Sequence, residues 1–204
     1  MARPKATPEQ RTEIRRGIQR AAAEIYRADG ISAISARAVA KKAGVSVGTI
    51  YAYFGDLPGL MQSLWTGRVE RQNDLFKAVA AEHSDPVERL RALMVSYLRF
   101  GVENPDLYRG VFLFVRPESL DRGDTTPFTS FVFPALLIEA IGEGQAADRL
   151  VERDPAELAQ TLWSALHGCL ALPANLDRLG FASAEEMTAP MVDALLRGVC
   201  SRGG

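Results

Sequence analysis

The sequence predicts an all-α protein, and three observations support that fold class. Apolar residues recur at steps of three and four along most of the 204-residue chain, the spacing that gives a helix one buried face. Residues that cap or start helices stand before these apolar runs. No segment alternates apolar and polar residues as a half-buried strand does. We therefore expect about nine helices and no sheet.

The first predicted helix begins at Thr7 and Pro8 and ends at Gly30. Thr7 can accept a hydrogen bond from a free N–H of the first turn, and Pro8 needs no N–H at the first helical position. One apolar stripe is expected along this helix, formed by Ile14, Ile18, Ala21, Ala22 and Ile25.

Residues 35–54 have the pattern of two short helices joined by a tight turn. Ser35 and Ser46 are candidate N-caps, and Gly44 suits the left-handed residue that ends a helix. Ile50 should face inward from the second helix. Such a pair is a helix-turn-helix, whose second helix lies in the major groove of DNA.

The outward face of that second helix carries small residues, hydroxyls and tyrosines, where a solvated face usually carries Lys and Glu. Small residues let the backbone approach the duplex, and hydroxyls can donate to phosphate oxygens. Val47 could contact a thymine methyl. The residues expected to contact DNA are Ser35, Arg37, Lys41, Ser46, Val47, Gly48, Thr49, Tyr51 and Tyr53.

Six more helices are predicted after residue 56. We expect them over 57–82, 86–102, 107–115, 128–141 and 155–172, and from 184 onward, with a loop at 116–127 and a polar connection at 142–151. Pro134 should kink its helix or mark a late start, and Pro190 should bend the last helix or delay its start. Ser183 and Glu186 have the spacing of a capping box.

The charge is divided unevenly along the chain. Residues 1–57 hold 10 Lys or Arg and 5 Asp or Glu, whereas the remainder holds 14 and 20, for a net charge of −1 overall. A basic head on an acidic body is expected when only one end of a protein meets phosphate.

The segment AGVSVGTIYAYF, residues 43–54, resembles the TetR family of bacterial transcriptional regulators, with Ile25, Gly30 and Leu60 in supporting positions. The resemblance implies a DNA-binding head over residues 9–56 and a ligand-binding and dimerisation body over residues 57–204. The family usually carries Lys where this chain has Leu57, which puts one phosphate contact in doubt.

Two later segments, NPDLYRGVF (104–112) and WSALHGCLAL (163–172), resemble the C-terminal domain of a TetR subgroup with a Trp…His-Gly signature. The resemblance implies that the last two helices form a four-helix bundle with a second subunit. Its candidate interface residues, which could instead close the core of one subunit, are Leu162, Leu166, Met191, Leu195, Leu196 and Val199.

The body is rich in aromatic residues and Met, which fits either a helical core or a mostly apolar ligand pocket. The candidate pocket residues are Met94, Tyr97, Phe112, Phe128, Phe131, Trp163 and His167. His167 follows Trp163 by four residues, on one helix face, and suits a core histidine or a ligand contact. We expect no metal site, because His83 is the only other histidine.

Other functional classes find little support in the sequence. No serine has the setting of a nucleophile elbow and no Gly-rich phosphate loop follows a strand, so we expect neither an enzyme nor a bound cofactor. Cys169 and Cys200 fit free thiols in a reducing cytosol. No signal peptide and no membrane span are expected, which together favour a cytoplasmic protein.

These observations predict a homodimeric transcriptional repressor that a small, largely apolar effector releases from double-stranded operator DNA. The alternative is a helical small-molecule-binding protein without sequence-specific DNA binding, which would leave residues 46–53 and the charge division unexplained. A nonspecific DNA-compacting protein is a third hypothesis, and the acidic body argues against it.

Overall fold

The structure is a computed structural model that describes residues 7–30, 33–112, 126–176 and 178–201. The described residues form nine α-helices: α1 (Pro8–Asp29), α2 (Ala36–Ala43), α3 (Val47–Phe54), α4 (Leu57–Ala81), α5 (Pro86–Glu103), α6 (Pro105–Phe112), α7 (Val132–Ala146), α8 (Pro155–Asn175) and α9 (Ala184–Val199). The chain divides into two compact units, residues 1–67 and residues 68–204. The predicted all-α fold class is confirmed.

The helices of the first unit, here called the head, begin and end where the cap residues predict. The Thr7 hydroxyl accepts the N–H of Gln10, and the Gln10 side chain accepts the N–H of Thr7 in return. Ser35 accepts the N–H of Ala38 at 3.1 Å and so caps α2. Gly44 ends α2 with φ 69° and ψ 29°, a left-handed conformation that glycine adopts at little cost.

One apolar core holds the head together. Its side chains come from α1, α2, α3 and the start of α4, and each is at most 9% exposed: Ile18, Ala21, Ala22, Ile25, Ile34, Val39, Ala40, Ile50, Leu60 and Met61. Val39 and Ile50 are fully buried, one from each helix of the predicted turn motif. Burial of these two residues fixes the angle between α2 and α3 and leaves the opposite face of α3 exposed.

In the second unit, here called the body, α5 packs against α6, α7, α8 and α9. Its inward face is closed to solvent: Leu90, Leu93, Met94 and Leu98 are fully buried. Ser183 and Glu186 form the predicted capping box at the start of α9. Pro190 lies inside α9, so it does not delay the start of that helix.

The structure corrects the predicted boundaries of α7. A 3₁₀ turn at Phe128–Ser130 precedes the helix, which places Pro134 near its start, where the missing N–H costs little. The polar connection expected from residue 142 is wrong, because α7 continues to Ala146. A Cβ at position 144 would lie only 2.6 Å from Leu150 Cδ1. Because glycine has no Cβ, the segment after α7 can pack closely against the helix at Gly144. The predicted loop at 116–127 falls largely outside the described residues.

The described residues contain no β-strand, only an isolated bridge between Leu150 and Cys200 that ties the α7–α8 connection to the end of α9. Among the described helices, none combines the length and apolar character that crossing a bilayer requires.

Candidate nucleic-acid interface and effector site

The exposed face of α3 consists of small residues and one tyrosine. Gly48, Tyr51 and Ala52 are all exposed, and Tyr51 retains 47% of its accessible surface although it is a large aromatic residue. These positions follow one another at helical spacing and carry no charge. A duplex can therefore approach the backbone of α3 at Gly48 and reach a phenol hydroxyl at Tyr51.

Ser46 and Thr49 form a local hydrogen-bond pair at the start of α3. Ser46 Oγ accepts the N–H of Thr49 at 3.1 Å, and the two hydroxyl oxygens lie 2.8 Å apart. The pair holds two hydroxyl protons and uses one between its members, so one O–H remains to donate outward. Ser46 and Thr49 therefore offer one outward O–H between them, and not one each as their separate hydroxyls would suggest.

Two residues expected on the outward face lie partly inward. Val47 and Tyr53 are both half-buried and pack against the head core. This correction follows from helix geometry, because the short helix buries Ile50, and positions three residues on either side of it share its face. The exposed part of the predicted set on α3 is therefore centred on Gly48 and Tyr51.

Three predicted contacts lie on α2 or at its start. Ser35, Arg37 and Lys41 are all exposed. Ser35 spends its acceptor oxygen on capping α2 and keeps its hydroxyl proton. Lys42 differs from Lys41 in forming a 3.1 Å ion pair with Glu24, which directs its charge toward α1.

Arg15 also lies in this region, although it is not among the residues expected to contact DNA. Its Nη1 donates to the carbonyl oxygen of Tyr53 at 2.9 Å, and its guanidinium lies 4.5 Å from the centroid of the Phe54 ring. Arg15 thus satisfies a carbonyl at the end of α3, one of the groups that a helix terminus leaves unpaired. No sequence-local signal indicated this contact, because 38 residues separate the partners.

In the body, seven side chains from five elements form what we call the aromatic cluster: Tyr97, Tyr108, Phe112, Phe128, Phe133, Trp163 and His167. Tyr97 stacks on Phe133 with ring centroids 4.8 Å apart and meets Trp163 edge-on at 6.3 Å. Five of the seven predicted pocket residues belong to this cluster. Tyr108 and Phe133 were missed, because their spacing on their own helices shows only an inward face.

The other two predicted pocket residues contribute no ring to the aromatic cluster. Met94 is fully buried among the core residues of α5. Phe131 is 53% exposed at the N-cap of α7 and makes no ring contact with the cluster in the described part of the chain. Phe131 lies outside the aromatic cluster because the helix that carries Phe133 inward begins only after it, and its role in a pocket stays a prediction.

His167 is held by two phenols within the cluster. Its Nδ1 lies 3.1 Å from the Tyr97 hydroxyl and 2.8 Å from the Tyr108 hydroxyl, and Tyr108 also donates to the His167 carbonyl oxygen at 3.2 Å. Burial raises the pKa of both phenols and lowers the pKa of the imidazole. At neutral pH the three groups are uncharged and form a polar patch in an otherwise apolar environment.

Trp163 contributes a second polar group to the cluster. Its indole N–H is buried and faces the Tyr97 hydroxyl, but it forms no hydrogen bond of good geometry within the described residues. An unpaired buried donor costs roughly 1–3 kcal/mol. Such a donor beside an aromatic surface can be satisfied by a ligand that carries a hydrogen-bond acceptor.

The six candidate interface residues differ in how much surface they keep in the single chain. Leu162, Leu166, Leu196 and Val199 are between 0 and 8% exposed in the single chain, so they close the core of the body and have no surface to offer a partner. Met191 and Leu195 are half-buried and keep part of their surface. At these four positions the apolar stripe of α8 and α9 closes the core of one subunit, which is the alternative that the sequence left open.

A different apolar surface is open on these two helices and on the segment that joins them. We call it the α8–α9 face, and it is a cleft of about 370 Å³ whose lining includes Ala165, Gly168, Leu172, Phe181, Met187 and Met191. Leu172 is 48% exposed and Phe181 is 42% exposed. Monomeric proteins seldom expose adjoining large apolar residues, so this face has the character of a contact surface.

A capped helix-turn-helix with an exposed face in the head, and an aromatic cluster in a separate helical body, define a DNA-binding regulator that senses a ligand. Two family models match the chain. Residues 18–63 match the bacterial regulatory proteins of the tetR family, and residues 90–196 match the tetracyclin repressor-like C-terminal domain. The chain belongs to the TetR family of transcriptional regulators, with a DNA-binding N-terminal domain and a ligand-binding C-terminal domain.

Solved structures share this fold. A TetR/AcrR-family transcriptional regulator from Thermobifida fusca is 25% identical, with 91% of this chain and 98% of that chain covered and a TM-score of 0.61. The regulator FadR from Bacillus subtilis, solved with stearoyl-CoA, is 18% identical, with 90% and 98% covered and a TM-score of 0.70. A protein of unknown function from Rhodococcus sp. RHA1 is 22% identical, with 92% and 95% covered and a TM-score of 0.67. No curated protein matches the chain by sequence.

Proposed function

We propose that this regulator is a cytoplasmic homodimeric repressor without catalytic activity, and that a largely apolar effector releases it from its operator. Residues 9–56 bind DNA, and residues 57–204 bind the effector and dimerise. The observation that carries the proposal is the exposed face of α3, where Gly48 and Tyr51 lie open beside the one free hydroxyl proton of Ser46 and Thr49.

DNA contacts are proposed for the exposed residues of α2 and α3. Tyr51 and the Ser46–Thr49 pair donate to phosphate oxygens, and Arg37 and Lys41 add positive charge. Gly48 allows close approach of the α3 backbone. Val47 and Tyr53 support α3 from its buried side and expose only part of their side chains to the duplex.

Homodimerisation is proposed through the α8–α9 face, together with the exposed parts of Met191 and Leu195. The surface is apolar and continuous across two helices, and the smooth positions Ala165 and Gly168 allow helices of a second copy to approach closely. Two recognition helices in a two-fold dimer read half-sites one DNA turn, about 34–36 Å, apart.

The effector is proposed to bind at the aromatic cluster. The uncharged His167, Tyr97 and Tyr108 and the apolar rings favour an apolar molecule. The buried Trp163 N–H, which lacks a hydrogen bond of good geometry, favours one that carries a hydrogen-bond acceptor. The structure of B. subtilis FadR contains stearoyl-CoA, whose thioester carbonyl is such an acceptor, so a long-chain acyl-CoA is a suitable first probe. An effector that binds best when the two heads are spaced differently shifts the dimer away from its DNA-binding form. The size of this shift is limited by the difference between the effector's affinities for the DNA-binding form and for the other form.

Selection of duplexes from a random pool, followed by gel shift, tests the DNA-binding proposal. We expect enrichment of a two-fold symmetric sequence. Tyr51→Phe should then weaken binding to it by about 1–2 kcal/mol, because one hydrogen bond to a charged oxygen is lost. Thr66→Ala is the control, since it removes an exposed hydroxyl from α4 that donates to Gln62. A pool without an enriched sequence, or equal affinity of wild type and Tyr51→Phe, would contradict the proposal.

Tryptophan fluorescence tests the effector site. The chain has two tryptophans, so Trp65→Phe leaves Trp163 as the single reporter. We expect stearoyl-CoA to change this emission at concentrations that also release the selected duplex. Release of the duplex with unchanged Trp163 emission would place the effector elsewhere.

A further inference from the structure

We propose that a cleft beside the recognition helix binds a backbone phosphate of DNA, with Arg11 as its principal contact. The cleft lies between α1 and the C-terminal half of α3, has a volume of about 380 Å³, and is lined by Arg11, Thr12, Arg15, Ala52 and Tyr53. None of these residues belongs to the predicted DNA-contact set except Tyr53. The proposal rests on the proposed role of α3 and adds a phosphate site at its edge.

The charge of the cleft suits an anion. Its lining contains two arginines and no acidic side chain. Two acidic residues of α1 lie near the cleft in sequence, but neither lines it. Glu13, which follows Thr12 directly, is paired with Arg20 at 2.7 Å, and Glu9 lies in the first turn of α1. Asp56, just after α3, lies outside the lining and accepts the N–H of Gly59 at 2.7 Å. The two guanidinium groups are therefore not neutralised within the cleft.

Arg15 is already fixed in position. One of its five N–H donors bonds to the Tyr53 carbonyl, and the ring of Phe54 lies under its guanidinium. The remaining donors of this planar group keep a defined direction, so little side-chain entropy is lost when an anion binds. Because Arg15 offsets a carbonyl at the negative end of α3, the helix terminus repels a phosphate less strongly.

Arg11 is the group that remains available. It is exposed, lies one helical turn before Arg15 on the same side of α1, and has no side-chain hydrogen bond or ion pair among the described residues. Thr12 cannot serve as the donor, because its hydroxyl donates to the Pro8 carbonyl at 3.0 Å. A guanidinium can hold a phosphate with two parallel hydrogen bonds, so the free Arg11 and the fixed Arg15 can grip one phosphate from two directions.

The position of the cleft favours DNA over a small free anion. Ala52 lines the cleft and also belongs to the exposed face of α3 with Gly48 and Tyr51. A helix in the major groove is flanked by sugar-phosphate backbones, since the groove is about 12 Å wide. A duplex seated on that face would therefore carry a phosphate past the Ala52 side of α3, where Arg11 and Arg15 lie.

Fluorescence anisotropy with a labelled 30-base-pair duplex of mixed sequence tests this site without knowledge of the operator. Binding is titrated between about 50 and 300 mM KCl for wild type, Arg11→Gln and Arg16→Gln. Arg16→Gln is the matched control, because it removes the same charge from an exposed position of α1 that does not line the cleft. Circular dichroism checks that all three proteins fold.

We expect Arg11→Gln to reduce the slope of log K against log[salt] by about 0.9, the value for one phosphate contact, and to weaken binding roughly five- to tenfold at 100 mM salt. Arg16→Gln should change the slope by less than half as much. An unchanged slope for Arg11→Gln, or equal losses in both variants, would overturn the phosphate site while leaving the proposed function intact. A wild type that binds no duplex at any salt concentration would overturn the proposed function as well.

Discussion

The assignment of buried and open faces on α8 can be tested with one residue type. Leu166 is fully buried in the body, whereas Leu172, six residues later on the same helix, is 48% exposed on the α8–α9 face. Leu→Ala at both positions removes the same atoms. We expect Leu166→Ala to lower the stability of the subunit and Leu172→Ala to weaken the proposed dimer.

The expected magnitudes follow from burial. Truncation of a fully buried Leu typically costs about 2–5 kcal/mol, so Leu166→Ala should lower the free energy of unfolding by that amount. Complete burial of a Leu side chain is worth about 1.5–3 kcal/mol. Leu172 is about half exposed, so dimerisation can bury about half of its side chain, and a two-fold dimer contains two copies of Leu172. Leu172→Ala should therefore weaken the dimer by about 2 kcal/mol, which is roughly 30-fold in dissociation constant.

Gly168 supplies a variant with the opposite effect on the subunit. A Cβ added there meets no atom within 4 Å in the single chain. Gly168→Ala should therefore stabilise the subunit by up to about 1 kcal/mol through helix propensity. The same methyl group should weaken the dimer, because it holds two closely crossing helices apart.

Sedimentation velocity over a dilution series gives the dimer dissociation constant, and urea unfolding below that concentration gives the stability of the subunit. Keeping the two measurements separate matters, because dimerisation stabilises the fold by mass action. An unchanged dissociation constant for both Leu172→Ala and Gly168→Ala would refute the α8–α9 face as the interface. A weakened dimer in a stable Leu166→Ala subunit would restore the interface expected from the sequence.

Three further outcomes are expected. Burial lowers the pKa of His167, so below about pH 6.5 the unfolded chain binds more protons at this residue than the folded chain does. The free energy of unfolding should therefore decrease from pH 7 toward pH 5.5, and it should decrease less in His167→Gln. Urea unfolding at each pH measures both. Gly144→Ala should destabilise the body by about 1–2 kcal/mol because its Cβ meets the buried Leu150, whereas Gly142→Ala, with open space, should stabilise it; thermal unfolding compares them. Ser46→Ala should cost about 1 kcal/mol by removing the α3 cap, measured by hydrogen exchange at the Thr49 amide.

The local parts of the fold were predictable because their causes are local. Thr7, Ser35, Ser46 and Ser183 cap helices by accepting hydrogen bonds from N–H groups three residues later, and Gly44 adopts the left-handed conformation at a helix end. Each of these interactions spans only a few residues. The sequence therefore determined the helices of the head, the turn motif and the family resemblance.

The end of α7 was not predictable on the same basis. Two glycines and polar residues after Ile141 indicated a connection, but α7 continues through Gly144 to Ala146. The reason is a contact with Leu150, whose side chain fills the space that a Cβ at position 144 would take. The close packing of Leu150 against Gly144 outweighs the low helix propensity of glycine, which costs at most about 1 kcal/mol.

The sequence by itself determined which helices are amphipathic, since a period of 3.6 residues marks an apolar stripe. Only the tertiary structure decided what covers each stripe, because the covering residues come from distant parts of the chain. Leu162 and Leu166 face the core of their own subunit, Tyr108 reaches His167 across 59 residues, and Arg15 reaches Tyr53 across 38. Such contacts form by the packing of whole helices, and no local pattern of residues specifies them.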